Sequence, residues 1–104
     1  MMLSTTDSIS GKEMEHLGLV QGSVVQTKSL GKDIKAIGRT IVGGEIRDYT
    51  DLLKDARGIA TGRMVDEAKA LGADAIVAVR YATSGIMDTA SEVMAYGTAV
   101  KLRG

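Results

Sequence analysis

The chain has no cysteine, no proline, no phenylalanine, no tryptophan and one histidine. Without cysteine there is no disulfide, no thiolate metal site and no cysteine nucleophile. With His16 as the sole imidazole, no Ser-His-Asp arrangement can be argued, and nothing nominates an enzyme active site. Aromatic residues make up 3%, all of them tyrosine. Single-stranded nucleic acid is held by aromatic stacking platforms, so that partner is not expected. Basic and acidic residues balance at 13 each, which removes the electrostatic case for a nucleic-acid or membrane partner. No apolar run approaches the roughly 20 residues of a membrane span. Residues Met1 to Asp7 lack the basic and apolar regions of a secretory signal. A soluble cytoplasmic protein is the expectation. At 104 residues the chain is one domain, 1–104, with a core built from Val, Ile, Leu, Met and Ala.

What is present is organised around one periodic stretch. Apolar side chains recur at Ile46, Tyr49, Leu52, Leu53, Ala56, Ile59, Ala60, Met64, Ala68 and Leu71, in the threes and fours of an amphipathic helix. The spacing predicts a helix over about 45–71. It would open after Gly43-Gly44 and stop at Gly72, which is placed for the left-handed residue that ends helices. The opposite face carries Asp48, Asp51, Lys54, Asp55, Asp66 and Lys69. Gly58 and Gly62 fall on this polar side, where they are either tolerated or mark the close approach of another backbone. Glu67 rotates into the apolar stripe and needs a partner there. Arg63, one turn back, is the simplest candidate for an ion pair.

Around the helix the patterns are those of strands. Leu3 to Asp7 suits an edge strand, and Ser10-Gly11 a turn. Leu17 to Thr27, with Val20, Val24 and Val25, predicts one long bent strand in which Gly22 marks a bulge or a close approach. Ile34, Ile37 and Ile41 predict a short helix over about 31–42. Ala73 to Tyr81 begins apolar on both faces, and Ser84-Gly85 suits a turn. In Glu92 to Leu102, Val93, Ala95, Gly97 and Ala99 alternate with Met94, Tyr96, Thr98 and Val100. The helix covers one of these faces. A chain this short has little but a second copy of itself to cover the other. The expected fold is α+β: a two-layer β-α-β-β subunit whose antiparallel sheet packs on the long helix, with the short helix added.

Several stretches together resemble the YbjQ family. They are Ser4-Thr5-Thr6, Gly18-Leu19-Val20-Gln21-Gly22, Ile41-Val42-Gly43-Gly44 with Tyr49, and Leu53 with Ala56-Arg57 and Ile59-Ala60. Leu71-Gly72-Ala73-Asp74-Ala75-Ile76-Val77 and Gly97-Thr98-Ala99-Val100 complete the set. They run in family order over nearly the whole chain. The resemblance implies a dodecin-like subunit, a homo-oligomer (a pentamer) and no established reaction. Its heavy-metal-binding label implies a divalent metal.

The residues leave three functions open. The first is a small oligomeric binding or scaffold protein, with its ligand site between subunits, where such sites are favoured. The second is a metal site shared between copies. One residue such as His16 would then be supplied several times at a symmetry axis; Glu13, Glu15, Asp88 and Glu92 are looser candidates. The third is a small anion or nucleotide at Gly43 and Gly44, whose free N–H groups before a helix could face a phosphate, with Tyr49 one turn on. No Gly-x-x-x-x-Gly-Lys-Ser/Thr accompanies them.

Overall fold

The computed structural model describes residues 1–27, 41–42, 45–87 and 90–103. The periodic stretch forms helix α1, Arg47–Ala70, about 36 Å long at 1.5 Å per residue. It starts two residues later than the periodicity suggests. Glu45–Ile46 is instead a short strand, β4, paired antiparallel with β3, Ile41–Val42. Ile41 and Val42 therefore do not end a helix. Residues 31–40 of the short helix expected there lie outside the described residues.

The helix stops as its sequence requires. Gly72 has φ +79°. Its N–H donates to the Lys69 carbonyl at 2.9 Å, and Ala73 N–H donates to the Ala68 carbonyl at 3.1 Å. These two bonds make a Schellman cap, and Ala73 returns to pack on the core that contains Ala68.

The main sheet has four strands in the order β1, β5, β6, β2. These are β1 (Met2–Leu3), β2 (Glu13–Thr27), β5 (Ala75–Met87) and β6 (Ala90–Arg103). The ladders between β2 and β6 and between β5 and β6 are antiparallel, as expected. The β1–β5 pair is parallel, so the sheet is mixed. The edge strand expected over Leu3 to Asp7 is regular only at Met2–Leu3. Beyond it, Ser4 and Thr6 still pair with β5: Ser4 N–H donates to the Ile76 carbonyl at 3.0 Å, and the Thr6 carbonyl accepts from Ala78 N–H at 2.8 Å. Ser84 and Gly85 do not turn the chain. They lie within β5, opposite Glu92 and Ser91 of β6.

Helix α1 lies over β2 and β6. Ala56, Ala60, Met64 and Ala68 are fully buried against Val20, Ile76, Val93, Ala95 and Ala99. Three of these four helix residues are alanines, so the helix comes down close to the sheet. It comes closest at Gly22, where a Cβ would sit 2.3 Å from the Ala60 carbonyl oxygen and 2.3 Å from the Met64 nitrogen. The β2–β6 register runs unbroken through Gly22, so the residue marks an approach and not a bulge. The bulge in β2 is at Leu17, between His16 and Gly18, with Gly18 at φ +138°. Ile59 and Leu71 belong to the apolar stripe in sequence but are 42% and 47% exposed.

Among the described residues, the other face of the sheet is covered at one end. There Ala75, Val77 and Val100 are buried beneath the chain's own Ile9, Met14 and Leu102. Farther along, by the ladder register, Leu19, Val25, Met94 and Tyr96 share this face. Leu19, Val25 and Tyr96 are exposed.

The glycines divide by environment, and replacing each with alanine separates them. Gly22→Ala forces a methyl group into helix backbone and is expected to destabilise the fold by about 3 kcal/mol or more. Gly62→Ala meets open space and removes a glycine from a helix interior, with an expected gain of about 0.5–1 kcal/mol. Urea unfolding followed by circular dichroism measures both. A Gly22→Ala variant as stable as the parent would refute the close approach.

Candidate functional site

The residues nominated by sequence are not brought together. Gly43, Gly44 and Asp88 lie outside the described residues. Tyr49 falls in the first turn of α1. His16 is exposed on β2, directly before the Leu17 bulge. Glu13 and Glu15 are exposed nearby, and Glu15 is paired with Arg103. Glu92 is half-buried on β6, opposite Ser84. Among the described residues no three His, Cys, Asp or Glu side chains cluster in a way that could hold a metal ion. Within a single copy these residues do not fit a heavy-metal site.

The structure does assemble a recess of about 150 Å³ at the opposite edge of the sheet from His16. Leu3, Ser4, Thr5, Val79 and Tyr81 line it. Its origin is a second bulge, in β5 between Val77 and Arg80. Ala78 takes φ +53° there, a left-handed conformation unfavourable for a residue with a Cβ. Strain of this kind persists where surrounding bonds over-determine it. Ala78 N–H donates to the Thr6 carbonyl at 2.8 Å, and Val79 N–H donates to the Ser4 carbonyl at 2.9 Å. Across the ladder Gly97 leaves the space. A Cβ on it would lie 2.7 Å from Ile76 Cγ2 and 3.0 Å from the Val77 carbonyl oxygen.

The walls of the recess are tied in place by hydroxyl groups. Thr61 Oγ1 donates to the Arg57 carbonyl at 2.7 Å, so its contact with Tyr81 Oη at 2.8 Å has tyrosine as the donor. This bond joins β5 to the middle of α1. Thr6 Oγ1 donates to the Ser8 carbonyl at 2.6 Å. The 2.5 Å contact between Ser4 Oγ and Thr6 Oγ1 is then donated by serine. Arg80 Nη1 donates to the carbonyls of Thr5 and Val79, both at 2.9 Å, and clamps the N-terminal segment to β5. Among the described residues, no histidine, carboxylate or amine lines the recess. The arrangement suits the binding of a small, largely apolar group beside hydroxyls.

Sequence reasoning did not single out this recess. Ser4-Thr5-Thr6 stood out only as part of the family pattern, and Tyr81 as the end of a strand. The residue that creates the recess, Ala78, carries no sequence signal, because alanine is not a residue that advertises a positive φ.

A family model described as "Putative heavy-metal-binding", YbjQ, matches residues 1–103. Similar proteins include a UPF0145 protein of Colwellia psychrerythraea, 57% identical over 104 residues, covering 99% of each chain. A UPF0145 protein of Clostridium novyi is 56% identical over 102 residues, covering 98% of this chain and 99% of its own. Among solved structures, a protein of unknown function of the DUF74 family from Pediococcus pentosaceus superposes with a TM-score of 0.68 at 16% identity. The match covers 99% of this chain and 98% of that one. At that identity the likeness is one of fold.

Two substitutions probe the recess. Ala78→Gly removes the steric penalty of the left-handed residue but loosens the unfolded chain. It is expected to change stability by less than about 1 kcal/mol, whereas Ala78→Val costs more than that. Tyr81→Phe deletes the donor to Thr61 and is expected to cost about 0.5–1 kcal/mol. Equal stabilities for the glycine and valine variants, in urea unfolding, would contradict the backbone conformation at Ala78.

Proposed function

The chain belongs to the YbjQ family, and we propose that it acts as a small self-associating binding protein whose ligand site lies where copies meet. The observation that carries this reading is the uncovered sheet face. Leu19 is 68% exposed, Val25 53% and Tyr96 36%, and all three lie on one side of two paired strands. They share that face with Gln21, Ser23, Thr98 and Glu92, the mixture of large apolar and polar groups found at interaction surfaces. The shape of the chain supports the same reading. Its radius of gyration is 17.0 Å, against about 13 Å for a self-contained domain of this length. The outer half of β5, from Arg80 to Met87, is exposed on both sides, so this arm finds little cover among the described residues. The recess beside Tyr81 opens at the root of that arm, where an adjoining copy would deepen it.

A second reading is favoured by the family description: a metal held at a symmetry axis, with His16 supplied once per copy. His16 is exposed on β2, which suits a shared position. Anion binding at Gly43 and Gly44 has no comparable observation behind it. A closed ring of copies, five by the family resemblance, would accommodate either of the first two readings. Among the described residues no helix is long and apolar enough to cross a membrane.

Native mass spectrometry of protein purified without added metal or chelator tests both. The expected result is a single multimeric mass, five copies on the family's pattern. A compact monomer at micromolar concentration would end the self-association reading. A metal increment of one per assembly, lost in His16→Ala, would establish the shared metal site. Unchanged metal content in that variant would remove His16 from it.

A further inference from the structure

The sheet ends on two edges of unlike character. β2 forms one outer edge along its whole length. In its middle two backbone groups point away from β6 and are bound by side chains from the helix. Gln21 N–H donates to Glu67 Oε1 at 3.3 Å, and the Ser23 carbonyl accepts from Arg63 Nη1 at 2.7 Å. Arg63 and Glu67 are four residues apart on a helix, about 6 Å along its axis. Gln21 and Ser23 are two residues apart on a strand, about 6.8 Å. The two repeats match, and the residue between the strand groups is Gly22, where the helix comes closest. The close approach therefore lets two polar side chains reach over the strand and occupy its free groups. The Arg63–Glu67 ion pair expected from sequence gives way to these two bonds.

The outer edge of β5 is different. β1 and the segment after it pair with this edge only as far as Val79. Tyr81 to Met87 carries no charge and no proline, and among the described residues no helix side chain bridges its outer backbone groups. An open edge with these properties is a template for another strand, and charged side chains are one of the means by which proteins close such edges.

We propose that Arg63 and Glu67 are an edge guard. They close β2 to strand addition by a second copy of this chain, and so confine any extension of the sheet to the β5 side. With β2 closed, sheet extension can join two copies edge to edge at β5 but cannot continue into an open fibre, and a ring of five copies would be held by other surfaces. This inference concerns which edge is available, and stands whether or not the self-association reading above holds.

The test compares the parent protein with Arg63→Ala/Glu67→Ala by size-exclusion chromatography with light scattering over a range of concentrations. The parent is expected to give one mass. The double variant is expected to lose that single mass and to show larger species that grow with concentration. Adding Gln21→Pro deletes the N–H that Glu67 occupies, without removing a bond to β6, and is expected to return the parental profile. Arg63→Lys/Glu67→Gln keeps a donor and an acceptor in place and is expected to behave as the parent. The proposal is overturned if the double variant keeps the parental mass throughout, or if its larger species persist with Gln21→Pro. Should the double variant lose its far-ultraviolet circular dichroism, Glu67→Ala alone, which frees the same N–H, carries the same two outcomes. A monomeric parent would defeat the self-association reading while leaving this comparison intact.

Discussion

The contact between α1 and the backbone of β2 at Gly22 sets the geometry on which the rest of the molecule depends. A helix normally rests on a sheet through side chains of both layers. Here the strand contributes no side chain at the crossing, and the helix contributes mainly alanines, Ala56, Ala60 and Ala68, with Met64 filling the remaining space. The layers close until backbone meets backbone. Three consequences follow from that distance. The core among the described residues, built from Ala, Val, Ile and Met, is thin. Arg63 and Glu67 come within reach of the edge of β2. Tyr81 meets Thr61 across the other side of the helix, so both flanks of α1 are tied to the sheet by polar bonds.

The bulges do complementary work on the strands. At Leu17 an extra residue, followed by Gly18 in a positive-φ conformation, brings Leu17 onto the core beside Val20. In β5 the left-handed Ala78 sends two successive N–H groups to the N-terminal segment. That segment then covers the near end of the second sheet face with Ile9 and stops. Coverage of the second face is thus set by how far one short segment reaches. Beyond it Leu19, Val25 and Tyr96 are exposed on that face, and β5 is exposed from Arg80 to Met87.

Much of this was legible in the sequence because it rests on periodicity and on glycine. The stripe from Leu52 to Ala68, the stop at Gly72, the significance of Gly22 and the two apolar faces of the last strand each follow from residue type and spacing. The parts that were not legible have physical reasons. The start of α1 was displaced because Ile46 fits the helical period as well as it fits a strand, and pairing with Ile41 decides between them. Ser84-Gly85 has turn chemistry, but the ladder with β6 continues through it. The parallel pairing of β1 is a long-range event with no local signature. The recess depends on one alanine held against its own preference by bonds from a distant segment. Arg63 and Glu67 looked like a pair because they are one turn apart, and the backbone that separates their roles lies some 40 residues away in sequence.

The composition and the family description pull in different directions. A heavy-metal site needs several soft or borderline donors at one point. This chain has one imidazole and no thiol, and its described carboxylates do not gather. Among the described residues one copy does not bring that number of donors together, and a site shared between copies, as proposed above, would multiply them. Repetition in turn requires a surface that favours a closed assembly over an open one. An apolar sheet face supplies the attraction but not the closure, because a sheet with two free edges can grow without limit. On the proposal above, an edge closed by Arg63 and Glu67 would supply part of that restriction by stopping open growth at β2. On the two proposals above, metal chemistry would follow from assembly, and the edge open to assembly would follow from the close packing at Gly22 that places Arg63 and Glu67 over β2.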